Sequence, residues 1–156
     1  RCSWMPRLRD ICFVSMMESA EIGVAAYSTV HTRSVPETLS RIINVFPFAE
    51  RLQVTATLLS CLRLVISQRL FPLPDNSGRI ALREYLAFTP DIRETLLETP
   101  LERLILKTED LLAASGQRIQ DAAQAAYQNG NITRDSYLAI LAERKGKGGN
   151  NHEANI

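Results

Sequence analysis

The stretch that most constrains the fold is Val24-Ala25-Ala26-Tyr27-Ser28-Thr29-Val30, a run with no charge and little alternation of polar and apolar positions. Such a run reads as a strand covered on both faces, as in a parallel sheet. It ends in His31, followed by a short polar turn. Ser34 can serve as a helix N-cap, and Pro36 sits where its missing N–H costs nothing. Leu39, Ile42, Ile43 and Phe46 then fall at i, i+3, i+4 and i+7, one buried helical stripe. A strand–turn–helix with an ionisable residue at the strand's carboxyl end is where open α/β sheets place ligands. That puts His31 where a bound group would be. Position alone favours a hydrogen-bonded strand-end histidine of no chemical consequence.

The rest of the chain is organised around this unit. Residues 16–22 suit a helix stopped by Gly23. After Phe46, Pro47 marks a break. Phe48, Leu52, Ala56, Leu59, Leu62, Ile66 and Leu70 recur every three or four residues, the spacing of one long amphipathic helix. From Gln68 the chain turns extended. Pro74-Asp75-Asn76-Ser77-Gly78 has the chemistry of a turn, and residues 79–88 read as a second strand, closing a hairpin placed at a sheet edge. Ile80, Leu82, Leu86 and Phe88 share one parity there, with Glu84 interrupting. Thr89-Pro90-Asp91 caps another helix with Ile92, Leu96 and Leu97 on its apolar face. Beyond Pro100 three helices are predicted, around Leu101 to Leu112, Ile119 to Tyr127 and Tyr137 to Leu141, forming a small appendage. The glycine- and asparagine-rich residues 146–156 have too little apolar surface to order themselves, so His152 is not read as a ligand.

Composition narrows the function. A chain of 156 residues fits one compact domain with or without a small appendage. Lys+Arg 18 against Asp+Glu 17 leaves a net charge of +1, so no field argues for nucleic acid or an anionic membrane. Cys2, Cys12 and Cys61 form no zinc pattern and read as reduced thiols. No apolar run reaches the roughly 18 residues of a membrane span, and no signal-peptide pattern opens the chain. A cytoplasmic location is expected. With two histidines and no clustered carboxylates, neither a metal site nor a nucleophile–histidine–acid arrangement is expected.

Several segments in order carry a family resemblance. Ala20-Glu21-Ile22-Gly23, Ser28-Thr29-Val30-His31-Thr32 and Thr38-Leu39-Ser40-Arg41-Ile42-Ile43 resemble the A-E-T-G, T-L-H-T and T-x-x-R-[IM]-[IV] elements of the "His box" of PilT-like type II/IV secretion ATPases. Val65-Ile66-Ser67-Gln68-Arg69-Leu70 resembles that family's V-V-x-Q-x-L segment. Gly78-Arg79 with Glu84 resembles its G-R-x-x-x-x-E strand, and Thr89-Pro90-Asp91-Ile92-Arg93 its T-P-A-I-R helix start. The match is to the carboxyl-terminal part of such proteins. It implies an α/β fold: the C-terminal part of a RecA-like P-loop ATPase core (residues 1–98), a helical C-terminal subdomain (99–145) and a disordered tail (146–156).

The resemblance also implies roles. His31 would lie near the γ-phosphate of ATP with Thr32 orienting it, and Arg41 would pack at a subunit surface. Ile92, Arg93 and Glu98 would match a motif tied to mechanical output, although Glu94 and Thr95 depart from it. ATP and Mg2+ are the implied cofactors of the full-length parent. The implied assembly is a hexamer, peripheral to the inner membrane and acting on a secretion, pilus or conjugative-transfer apparatus. The wording of residues 34–38 and 81–85 leans toward the Dot/Icm-like branch.

Two departures limit this chain. No glycine is followed by the Lys-Ser/Thr of a phosphate-cradling loop. Pro6-Arg7 stands where the family's Walker B Gly-Glu would be, so the water-orienting glutamate is missing and only Arg9-Asp10 remains. The chain alone is expected not to bind ATP usefully. A truncated or frame-shifted reading of a longer gene and a divergent genuine terminus both account for this end. The rival functional reading is a non-catalytic interaction module or a relic of the ATPase.

Overall fold

The computed structural model describes residues 8–145. The elements run α1 (Leu8–Glu21), α2 (Val35–Val45), α3 (Arg51–Cys61), β1 (Leu64–Pro72), β2 (Arg79–Ala87), α4 (Pro90–Leu97), α5 (Leu104–Ser115), α6 (Ile119–Gln128) and α7 (Arg134–Lys145). Pro6-Arg7, Cys2 and the tail with His152 lie outside the described residues, as do the side chains of Arg9, Asp10 and Cys12.

Where the deciding partners are close in sequence, expectation and structure agree. Ser34 caps α2, its hydroxyl accepting from the Glu37 amide at 3.2 Å. The Glu37 carboxylate accepts in return from the Arg33 amide at 3.1 Å, a variant of the capping box. Leu39, Ile42, Ile43 and Phe46 are buried, the stripe the spacing predicts. Thr89 caps α4, and Gly23 follows α1 with φ +88, where a side chain would be strained. In the hairpin turn Asn76 takes a left-handed φ of 55, and the Asp75 carboxylate accepts from both the amide and the hydroxyl of Ser77.

Two expectations are overturned. Residues 24–30 are not a buried strand: they are irregular, and Tyr27 is 94% exposed. A strand hidden on both faces needs neighbours on both edges, and among the described residues the only sheet is the antiparallel β1–β2 pair. The long helix from Phe48 to Leu70 is also absent. Helix α3 ends at Cys61 and the chain becomes β1. Of the residues whose spacing suggested a helix, Leu59 is buried but others face water: Phe48 is 83% exposed, Leu52 72%, Ile66 54% and Leu70 55%. Thr55, Leu58 and Leu59 are the buried residues of α3. Beyond it the β-branched Val65-Ile66 pairs with β2 in a matched register, Val65 opposite Leu86 and Ser67 opposite Glu84. A ladder with a complementary strand outweighs a local 3.6-residue period.

The three helices after Pro100 do not form one appendage. Leu104 and Leu112 of α5 share the main apolar cluster with Leu39 and Ile43 of α2, Leu58 of α3 and Leu96 of α4. Helices α6 and α7 enclose a second cluster of Ile119, Ala123, Ala126, Ile132 and Ile140 against Leu82 of β2. Arg69 of β1 also holds Glu143 of α7 through two contacts of 2.7 and 2.8 Å. One face of β2 thus spans both clusters, its apolar parity feeding Leu86 into one and Leu82 into the other. No helix among the described residues is long and apolar enough to cross a membrane.

Candidate functional site

His31 sits in the loop that enters α2, exposed to solvent. The loop is held from behind. The Arg41 guanidinium, one face along α2, donates to the His31 carbonyl at 2.7 Å. Thr32 and Thr38 meet through their hydroxyls at 2.6 Å. Thr38 already gives its only hydroxyl proton to the Ser34 carbonyl at 2.9 Å, so Thr32 is the donor of that pair. The backbone around His31 is therefore fixed while the residue itself faces outward. Arg41 acts here on the loop's own backbone.

Whether this loop can hold a phosphate depends on its free N–H donors. The Val35 amide donates to Glu84 Oε1 at 2.7 Å. Pro36 has no N–H. The Glu37 amide goes to the Ser34 hydroxyl and the Thr38 amide to the Ser34 carbonyl at 3.0 Å. Every backbone donor of the first turn is engaged. The start of α2 thus does not fit as a nucleotide cradle by itself. Among the described residues no group of three or more histidine, cysteine or acidic side chains is placed to hold a metal ion.

The remaining candidates stand elsewhere. Ile92 is buried in the main cluster. Arg93 donates from Nη1 to the Ser60 carbonyl at 2.8 Å, a cation set at the carboxyl end of α3, where it favours the helix dipole. Glu98 is exposed at the end of α4. The contacts of Arg93 tie α4 to α3 and do not reach the His31 loop.

Glu84 is the residue whose importance sequence reasoning missed. It is 4% exposed. Besides Val35 it accepts at Oε2 from the Ile119 amide at 3.4 Å, so one carboxylate meets the first residues of α2 and α6. Negative charge at two helix N-termini is favourable, which accounts for a carboxylate on the apolar parity of β2. That interruption of the alternation, and the place of Glu84 in the G-R-x-x-x-x-E segment, were the available signals. Nearby, Gln117 pairs with Tyr85 through two backbone hydrogen bonds of 2.9 Å, and the Gln117 side-chain amide donates to the Arg83 carbonyl at 3.0 Å.

The chain matches known proteins over most of its length. The type IV pilus retraction ATPase PilT of Pseudomonas aeruginosa is 28% identical over 83% of this chain. The crystal structure of the ATPase DotB of Legionella pneumophila superposes with TM-score 0.81 and 35% identity over 84% of this chain. The chain is homologous to the carboxyl-terminal part of PilT-like ATPases. The pilus retraction motor PilT with bound ADP, a PilT-like ATPase of known structure, matches at TM-score 0.69 and 27% identity over 81% of this chain. No family model matches. The chain spans about a third of the PilT-like ATPases it matches: 38% of Pseudomonas PilT and 35% of DotB. The expected α/β class, shared with the carboxyl-terminal part of DotB and PilT, agrees with these superpositions. The kinship rests on them and on the ordered motifs, since the buried strand expected to support His31 is not formed here.

Proposed function

We propose that this chain is the carboxyl-terminal part of a hexameric secretion, pilus or conjugative-transfer ATPase, in which ATP hydrolysis at subunit boundaries drives transport at the inner membrane. The observation that carries this reading is the fixed, outward-facing loop of His31. Arg41 and the Thr32–Thr38 pair anchor its backbone and leave the imidazole free to meet a group held by another segment. ATP and Mg2+ would be held by parts of the parent beyond these residues, with His31 and Thr32 facing the nucleotide. Ile92, Arg93 and Glu98 would then belong to the surface through which the subunit transmits motion. The charge-free residues 24–30, uncovered here with Val24 54% and Tyr27 94% exposed, would become a strand once the remainder of a RecA-like core lies beside them.

The test is a chimera in which residues 20–145 replace the matching third of Legionella DotB. ATP hydrolysis by the chimera, lost about tenfold or more with His31→Ala, is the expected result. Equal hydrolysis by the two chimeras would remove His31 from the site. A second reading, a non-catalytic interaction module, is favoured by the fully engaged donors at the start of α2. Calorimetry of the chain with Mg-ATP tests the module: clear binding would sink it.

A further inference from the structure

We propose that Glu84 couples the α6–α7 unit to the His31 loop, so that loosening α6 from β2 loosens the loop. The inference does not depend on the ATPase reading. Its basis is that a single buried carboxylate is shared by two helix starts 84 residues apart in the chain. Oε1 holds the Val35 amide, the first residue of α2 and the one that follows the cap closing the 31–34 turn. Oε2 holds the Ile119 amide, the first residue of α6.

The two ends differ in strength. At 2.7 Å the Val35 bond is short for N–H···O, whereas at 3.4 Å the Ile119 bond is long. The Ile119 end therefore yields first. What keeps it in place is the seat of α6 on the ribbon: the Gln117–Tyr85 backbone pair, the Gln117 side chain on Arg83, and Ile119 itself in the second cluster. When that seat shifts, the long Ile119 bond gives, and the carboxylate, with one of its restraints lost, orients the Val35 amide less firmly. The main cluster holds Leu39, Ile42 and Ile43, and the Val35 side chain with them, independently of Glu84, so what the carboxylate fixes is the Val35 amide and the loop before it. The disturbance should then stop at the loop and the first turn of α2. In any larger assembly, a partner pulling on α6–α7 would alter how His31 is presented.

Amide hydrogen exchange of the 156-residue chain, read residue by residue by NMR, tests this. Gln117→Ala removes only the side-chain bond to Arg83, and Ile119→Val trims one methylene from the seat. Each is expected to speed exchange at both Ile119 (or its replacement) and Val35 by about twofold to tenfold, the range for one hydrogen bond or methylene. The amides of Ile42 and Ile43, which report global opening, should not move. Glu84→Gln keeps the shape but turns one acceptor into a donor. In that background Gln117→Ala should no longer reach Val35. The coupling is overturned if residue 119 responds without Val35, if neither responds, or if Val35 moves only together with Ile42 and Ile43. Should Glu84→Gln fail to fold, the two single variants on the α6 side decide the matter alone.

Discussion

Gly116 offers the sharpest stability test, because its φ of −111 is open to any residue and only space forbids a side chain. A Cβ there would lie 2.6 Å from the Tyr85 carbonyl oxygen, 2.8 Å from Leu112 Cδ1 and 3.0 Å from the Leu112 carbonyl oxygen. Two of these neighbours are backbone, and the third belongs to a side chain only 5% exposed in the main cluster. None can swing away cheaply. The chain after α5 would have to retreat from β2, stretching the two 2.9 Å bonds between Gln117 and Tyr85. Overpacking costs about 1–3 kcal/mol, and weakening the two backbone bonds adds about 1 kcal/mol. Gly116→Ala should therefore lose about 2–4 kcal/mol, a large share of the roughly 5–15 kcal/mol of a typical domain. Urea unfolding measures it, with Gly78→Ala as control. There the new Cβ would meet only Leu73 Cδ1 at an ordinary 3.6 Å, so a change within about 0.5 kcal/mol is expected. Equal midpoints for the two variants would refute the close approach of the α5–α6 turn to β2.

Three further outcomes follow from local contacts. Ser34→Ala removes the cap of α2 and should cost about 1 kcal/mol in urea unfolding; a neutral result would mean that Glu37 alone sustains the turn. Arg93→Ala frees the Ser60 carbonyl at the end of α3 and should cost about 0.5–1.5 kcal/mol, read as a lower thermal midpoint. If the midpoint holds, Arg93 is not what secures α4 to α3. Burial pushes the Cys61 thiol above its ordinary value, with its own backbone contact and Arg63 opposing. Its thiolate therefore forms later in the folded chain than in the unfolded one, and stability falls as pH rises through the ordinary thiol range. In a Cys2→Ser/Cys12→Ser background, alkylation at pH 8 should be slower folded than in urea, and matching rates would contradict the burial.

The kinship with PilT-like ATPases was legible because it rests on ordered short motifs, which survive in sequence whatever the chain packs against. His31, Thr32 and Arg41 lie within one turn-and-helix unit that closes on itself, although the sequence reading set Arg41 at a subunit surface and not on the His31 carbonyl. Arg93 was harder, since its target Ser60 belongs to another helix 33 residues away. The sequence placed it in a motif tied to mechanical output, and its contact with a helix end came only with the structure.

What the amino-acid order determined by itself is every feature whose partners lie within a few residues: the Ser34 and Thr89 caps, the stop at Gly23 and the turn at Asp75 to Gly78. Tertiary structure alone decided the fate of residues 24–30 and 62–70, whose apolar content suits strand or helix according to what lies beside them. It also decided the role of Glu84, whose donors Val35 and Ile119 stand 49 and 35 residues away. A cap is completed by its own neighbours, whereas a strand edge or a buried charge is stable only when distant chain supplies the other half of its hydrogen bonds.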